Sequence, residues 1–176
     1  LDVKACHDNG VQALYAPVAN STSVAETALL LMLECSRNVT VLHKTWVNDF
    51  YKAKLKVRKN TLNGKTVGIV GCGNIGSRVA KRCLAMEMNV LCYDPYKPAK
   101  DFPDGVEVVR DLDRILTESD YVSLHAPNTP VTRNMINKET LAKMKPTAFL
   151  INTARGALVV EEDLYEACKD GVIAGA

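Results

Sequence analysis

"GIVGCGNIGSRVA", residues 68–80, carries glycines at 71, 73 and 76 in the spacing G-x-G-x-x-G. The run before it, "TVGIV" (66–70), is continuously apolar, as a strand buried on both faces requires. The run after it, "IGSRVAKRCLAMEM" (75–88), reads as a helix with Val79, Cys83 and Met86 on one stripe. Glycine spacing alone is a weak signal. It gains force here from lying between strand and helix, and from Asp94, which ends the next apolar run "NVLCYD" (89–94), 18 residues beyond Gly76.

Each residue of this constellation answers a physical need. Gly71 permits a tight turn, Gly73 lets the backbone approach a diphosphate with no Cβ in the way, and Gly76 lets helix and strand pack closely. The amides of Asn74 and Ile75 open a helix and lack partners within it, so they favour a bound anion. Asp94 can accept both hydroxyls of an adenosine ribose and would repel a 2′-phosphate, which points to NAD; Lys97 stands near enough to soften that repulsion. A glycine turn beside an unrelated surface Asp is the plain alternative, and the full constellation weighs against it.

Working outward, "VEVV" (106–109), "DYVSLHAP" (120–127), "TAFLINTA" (147–154) and "GVIAGA" (171–176) read as further strands. "DLDRILTES", "NKETLAKM" (137–144) and "EEDLYEACKD" (161–170) read as helices between them. Six strands with helical crossovers predict an α/β fold, a Rossmann-type doubly wound parallel sheet with flanking helices. Toward the N-terminus, "GVQALYAP" (10–17) reads as a short strand ended by proline. "NSTSVAETALLLMLECSRN" then opens a mostly buried helix, with Ser23 and Glu26 spaced as a capping box. A less regular helical stretch with Trp46, Phe50 and Tyr51 leads into the basic arm "KAKLKVRK" (52–59), read as a solvated face, and "LNGKT" (62–66) is a turn.

The 176 residues are 47% hydrophobic, which allows a real core and excludes a disordered chain. A net charge of +2 is too mild to imply nucleic acid or a membrane surface. No apolar stretch reaches the roughly 18 residues of a membrane span. The six cysteines include no C-x-x-C pair, so neither a metal site nor a disulfide framework is expected, and buried thiols point to a reducing, cytoplasmic setting. The chain begins at Leu1 and ends within an apolar run, which leads to the expectation of a piece of a longer protein.

"SVAETALLLML", "LNGKTVGIVGCGNIG", "YDPY", "LHAPNTPVTRNMIN" and "FLINTARGALVVEEDL" together resemble the D-isomer-specific 2-hydroxyacid dehydrogenases, a family that includes D-3-phosphoglycerate dehydrogenase and hydroxypyruvate reductases. The matching stretches follow the family's order over nearly the whole chain, and "NTARG" is its most specific part. The resemblance implies hydride transfer between NAD(H) and a small 2-keto or D-2-hydroxy acid, 3-phosphoglycerate- or hydroxypyruvate-like. It implies that Asn74 and Ile75 face the diphosphate and Asp94 the ribose. Ala126 and Pro127 would line the cofactor, and Thr153, Ala154 and Arg155 would run beside the nicotinamide. Arg155 matches the family's catalytic arginine, whose guanidinium holds the substrate carboxylate and polarises its carbonyl.

By the same resemblance, residues 1–17 correspond to the end of a substrate domain, 18–60 to an interdomain helix and dimerisation arm, and 61–176 to the NAD-binding domain. A homodimer is therefore expected. The family's glutamate and proton-transferring histidine match no residue of this chain; His7, His43 and His125 stand elsewhere in the pattern, and His125 reads as a packing or cofactor-lining residue. "VVEEDL" after the arginine and Asn128 depart from the commoner pattern. Within the same resemblance, a non-enzymatic reading also stands: the C-terminal-binding-protein corepressors use NAD(H) to control assembly and peptide binding.

Overall fold

The apolar run that precedes the glycines forms β1 (Thr66–Val70), the central strand of an all-parallel sheet. Residues 2–51 and 60–176 are described in the structure, a computed structural model. The other strands are β2 (Asn89–Tyr93), β3 (Glu107–Val109), β4 (Tyr121–Leu124) and β5 (Phe149–Asn152), in the spatial order β3-β2-β1-β4-β5. In register, Val70 faces Tyr93 on one side and Leu124 on the other, and Leu124 faces Asn152. The chain therefore runs outward from β1 in one direction through β2 and β3, and in the other through β4 and β5. The crevice between β1 and β4 at the carboxyl ends is where such a sheet binds ligands.

Both faces of the sheet are covered, which is why its strands read as unbroken apolar runs. Val67, Ile69, Val90, Cys92, Tyr121 and Ile151 point to one face, against Ala25, Ala28 and Met32 of α2 (Ser21–Arg37) and Val79 and Cys83 of α4 (Asn74–Ala85). Val70, Leu91, Val122, Leu124 and Leu150 point to the other, against Ile115 and Leu116 of α5 (Leu112–Glu118), Leu141 of α6 (Lys138–Leu141) and Ala167 of α7 (Glu161–Lys169). Each fully buried Ile, Leu or Val contributes about 1.5–3 kcal/mol, so the two clusters hold the strand ends in fixed relative positions. Helices α1 (Val3–Asp8) and α3 (Val39–Asn48) lie toward the N-terminus.

Several expectations are corrected. Residues 10–17 form no strand; Leu14 and Tyr15 stand 87% and 86% exposed, and among the described residues no ladder partner is available to an extended segment there. Instead α1 precedes it, started by the Asp2 carboxylate, which accepts from the Ala5 amide at 2.9 Å. The sixth strand reduces to one parallel bridge, Phe149 to Gly175, flanked by backbone bonds to Ala148 and to Leu150 of β5, after a turn at Gly171 (φ +70°). Ser23 and Glu26 form no capping box. Helix α2 begins earlier, at Ser21; the Ser23 hydroxyl donates back to the Asn20 carbonyl, and Glu26 pairs with Arg82 of α4 at 3.5 Å. Helix α4 ends at Ala85, leaving Met86 partly exposed as its C-cap. The stretch 52–59 lies outside the described residues.

Candidate functional site

Four strand ends meet at the site. After β1 the chain turns at Gly71, where φ is +88° and an added Cβ would stand 2.8 Å from the Ala126 nitrogen and the His125 carbonyl carbon. Only glycine satisfies both the torsion and the approach of the β4 end. At Gly76 an added Cβ would meet the Gly71 carbonyl oxygen at 2.0 Å, so α4 packs directly onto the loop that opens it. Gly73 differs from both. A Cβ there would meet no protein atom within 4 Å, so the bare backbone faces open space at the N-cap of α4, where no side chain caps the helix amides. Bare backbone at a helix N-terminus can admit an anionic group closer than a methyl would allow.

Asp94 follows β2 and is drawn back over the loop. Its Oδ2 accepts from the Cys72 amide at 3.0 Å and its Oδ1 from the Tyr96 amide at 3.1 Å. Each oxygen keeps a lone pair for a further donor. Lys97 is turned to another task than the one expected for it. Its Nζ donates to the Cys72 carbonyl at 2.6 Å and to the Ser77 hydroxyl at 3.1 Å, and lies 5.4 Å from the centre of the Phe102 ring. It braces the underside of the loop, so the negative charge of Asp94 faces the crevice without that partner.

Two clefts meet across Ala126 and Pro127. One, of about 400 Å³, is walled by Gly71, Asp94, Tyr96, Val131, Thr132 and Met135, among others. Its far wall is shaped by the Thr132 hydroxyl, which donates to the Pro127 carbonyl at 2.6 Å and accepts from the Thr129 amide at 2.9 Å. The other, of about 960 Å³, is lined by Ile75, His125, Asn128, Thr153, Ala154 and Arg155 together with Tyr15, Pro17, Asn20 and Val24. Of the residues singled out from the sequence, Gly71, Ile75, Asp94, Ala126, Pro127, Thr153, Ala154 and Arg155 line these two adjoining clefts, whereas Gly73, Asn74 and Gly76 line neither. Those from 15 to 24 were missed; they reach the site by tertiary packing and carry no local motif.

Arg155 is exposed, and its Nη1 donates to the Ala154 carbonyl at 2.8 Å. The turn that presents it is pinned by Asn152, whose side chain donates to the Arg155 carbonyl at 2.9 Å and accepts from the Ala154 amide at 3.0 Å. That role was legible in "NTARG" only as part of a motif. His125 shares a 2.9 Å hydrogen bond between its Nε2 and the Ser123 hydroxyl, and burial pushes its pKa down to about 4, so the ring is neutral. His125 Nδ1 and Thr153 Oγ1 are shielded and have no hydrogen-bond partner.

Residues 29–176 match the family model described as D-isomer specific 2-hydroxyacid dehydrogenase, NAD binding domain. The chain belongs to this family. Over its full length the chain is 44% identical to a hydroxypyruvate reductase of Thermotoga maritima and 40% identical to a D-3-phosphoglycerate dehydrogenase of Methanocaldococcus jannaschii. It spans 56% of the first and 34% of the second. Among solved structures, the NAD complex of a D-isomer specific 2-hydroxyacid dehydrogenase from Lactobacillus delbrueckii ssp. bulgaricus is similar at a TM-score of 0.87 and 32% identity. That match covers 99% of this chain and 53% of the other. The dinucleotide expected from the glycine loop and Asp94 is thus the cofactor of the family, and nothing in these relatives favours the corepressor reading. Among the described residues no helix is long and apolar enough to cross a membrane.

Proposed function

We propose that this NAD-binding domain serves an oxidoreductase that moves hydride between NAD(H) and a D-2-hydroxy acid or its 2-keto acid, 3-phosphoglycerate- or hydroxypyruvate-like. One observation carries the reading. The Asp94 carboxylate is fixed against an open glycine loop at the switch point, and the crevice runs on from there, past Ala126 and Pro127, to Arg155.

In this reading the diphosphate rests on the bare backbone at Gly73 and on the amides of Asn74 and Ile75, where the helix dipole adds roughly half a positive charge. Gly71 and Gly76 hold the loop in shape. Asp94 accepts the ribose hydroxyls and repels a 2′-phosphate. Thr153 and Ala154 would flank a bound nicotinamide, the group that would supply or take up the hydride. Arg155 exchanges its exposed bond to the Ala154 carbonyl for the substrate carboxylate, a trade of small net cost. Its planar fork orients the keto acid and stabilises the negative charge that grows on the carbonyl oxygen.

The proposed organisation assigns 1–17 to a neighbouring substrate domain, 18–60 to an interdomain helix and dimer arm, and 61–176 to the nucleotide domain. It is supported by the lack of any buried residue in α1 and by the sheet lying wholly after residue 65. Six free thiols suit a reducing cytoplasm. A homodimer through the apolar surface of α2 and α3 completes the reading.

Calorimetric titration with NADH and NADPH tests the central point. The protein binds NADH in preference to NADPH, and Asp94→Ala weakens NADH about 10- to 100-fold, roughly 1.4–2.8 kcal/mol. Unchanged NADH affinity in that variant would remove Asp94 from the site.

A further inference from the structure

Cys72, between the first two glycines, has no part in holding the dinucleotide, yet it sits at the centre of the loop's wiring. Its amide donates to Asp94 and its carbonyl accepts from Lys97. Its sulfur lies 3.7 Å from the sulfur of Cys92, on β2, two residues before Asp94. Both thiols are free and fully buried. The geometry points to Cys72 and Cys92 as a reversible dithiol–disulfide pair, a modification site whose oxidation weakens NAD(H) binding in the loop beside it. The inference rests on the cofactor reading above.

The surroundings separate this pair from the other buried cysteine nearby. The Ser77 hydroxyl stands 3.5 Å from the Cys72 sulfur, and the Lys97 ammonium is bonded to that same hydroxyl. Contact with the Cys92 thiol, then the Ser77 hydroxyl and the Lys97 charge, outweigh burial and the Asp94 charge and lower the Cys72 thiol, which makes it the more readily ionised of the two. Cys83 lacks such help; burial pushes it up to about 12, and it stays an inert core residue. Cys92, raised by its contact with Cys72 and by burial, is the resolving partner.

With a peroxide as oxidant the chemistry closes. The Cys72 thiolate attacks one oxygen of hydrogen peroxide; the S–O bond forms, the O–O bond breaks, and the departing hydroxide takes up the thiol proton as water. The Cys92 sulfur then attacks the Cys72 sulfenic acid. The S–S bond forms, the S–O bond breaks, and a second water leaves with the Cys92 proton. Two thiols are oxidised by two electrons and one peroxide is reduced to two waters.

The effect on the cofactor follows from which partner can move. A disulfide requires about 2.05 Å between sulfurs, well short of the present separation. Cys92 is held in the ladder between Ile69 of β1 and Val108 of β3. Cys72 is on a loop, so the loop yields, and it carries the Gly73 backbone and the Asp94 contact with it. Because both thiols are buried, peroxide reaches them when the loop opens, and bound NADH holds the loop shut.

The test is treatment of this protein with hydrogen peroxide, with and without saturating NADH, followed by alkylation, digestion and mass spectrometry, and by NADH calorimetry. Expected are a Cys72–Cys92 linked peptide pair, slower linkage with NADH present, and at least a tenfold loss of NADH affinity that dithiothreitol restores. A tenfold loss corresponds to NADH raising the pair's midpoint potential by about 30 mV. Cys92→Ala, or Cys92→Val if the smaller residue does not fold, forms no linked pair and binds NADH like the reduced protein. Linkage of Cys72 to Cys83, no linkage, or a linked form with unchanged affinity overturns the inference alone. A reduced protein that does not bind NADH overturns the cofactor reading and this inference with it.

Discussion

A methyl group at Gly76 would sit 2.0 Å from the Gly71 carbonyl oxygen, whereas one at Gly73 would meet no protein atom within 4 Å. Two alanine substitutions three residues apart should therefore fail in different ways. Gly76→Ala must shift backbone and costs about 3 kcal/mol or more in denaturant unfolding. Gly73→Ala should leave stability within about 0.5 kcal/mol but lower NADH affinity at least tenfold, about 1.4 kcal/mol, because its methyl would occupy the space that the proposed reading gives to the diphosphate. Equal stability losses in the two would show that Gly73 serves the fold. A second prediction at this scale concerns His125, neutral in the folded chain with a pKa of about 4 against 6.5 when unfolded. The unfolded state binds the extra proton first, so the stabilising effect is present above pH 6.5 and is lost as pH falls toward 4. The loss amounts to about 3 kcal/mol. Unfolding measured across that window in wild type and His125→Gln should show this extra slope in wild type alone. The sequence placed His125 at a strand end near the cofactor, but its neutral state depends on Ser123 and on burial, which no local pattern records.

Among the elements, what could be read in advance was what the chain encodes locally. The unbroken runs at 66–70 and 89–94 became β1 and β2 because helices cover both faces of the sheet; "DLDRILTES" holds α5, and the helix read over 137–144 shortens to α6, Lys138–Leu141. The failures are equally physical. The segment 10–17 has strand-like composition, but a strand is made by its partner, and none lies beside it among the described residues. Ser23 had cap spacing, yet packing against α4 sets where α2 begins. Lys97 was near Asp94 in sequence but is claimed by the Cys72 carbonyl. Helices α2 and α3 leave Leu30, Val41, Trp46 and Val47 exposed, Val47 by 70%, with Phe50 edge-on to Trp46 at 4.3 Å. Exposed apolar side chains of this size are costly in water, and a subunit interface would cover them. Light scattering at micromolar concentration should give the mass of a dimer, and Trp46→Glu with Val47→Glu should give that of a monomer while far-ultraviolet dichroism stays unchanged. A monomeric wild type would instead require these side chains to be covered within one chain.

For the whole molecule, the division of labour between cofactor and proton decides what this chain can do. Reducing a keto acid takes a hydride on carbon and a proton on oxygen, and the proposed reading assigns the crevice only the first. Of the three histidines, His7 lies on α1 and His43 on α3, and only His125 lines either cleft. His125 is a poor proton donor at neutral pH, since its ring is already neutral and its Nε2 is engaged by Ser123. Positioned acid–base catalysis is worth roughly 10²–10⁴ in rate. The chain should accordingly bind NADH, yet turn over hydroxypyruvate at least about 100-fold more slowly than a full-length relative under the same conditions. His125→Gln should leave the residual rate unchanged. Following NADH absorbance with hydroxypyruvate and with 3-phosphohydroxypyruvate checks both statements. Rates within tenfold of the relative would mean that a proton donor exists within this crevice, and a further fall in His125→Gln would identify it.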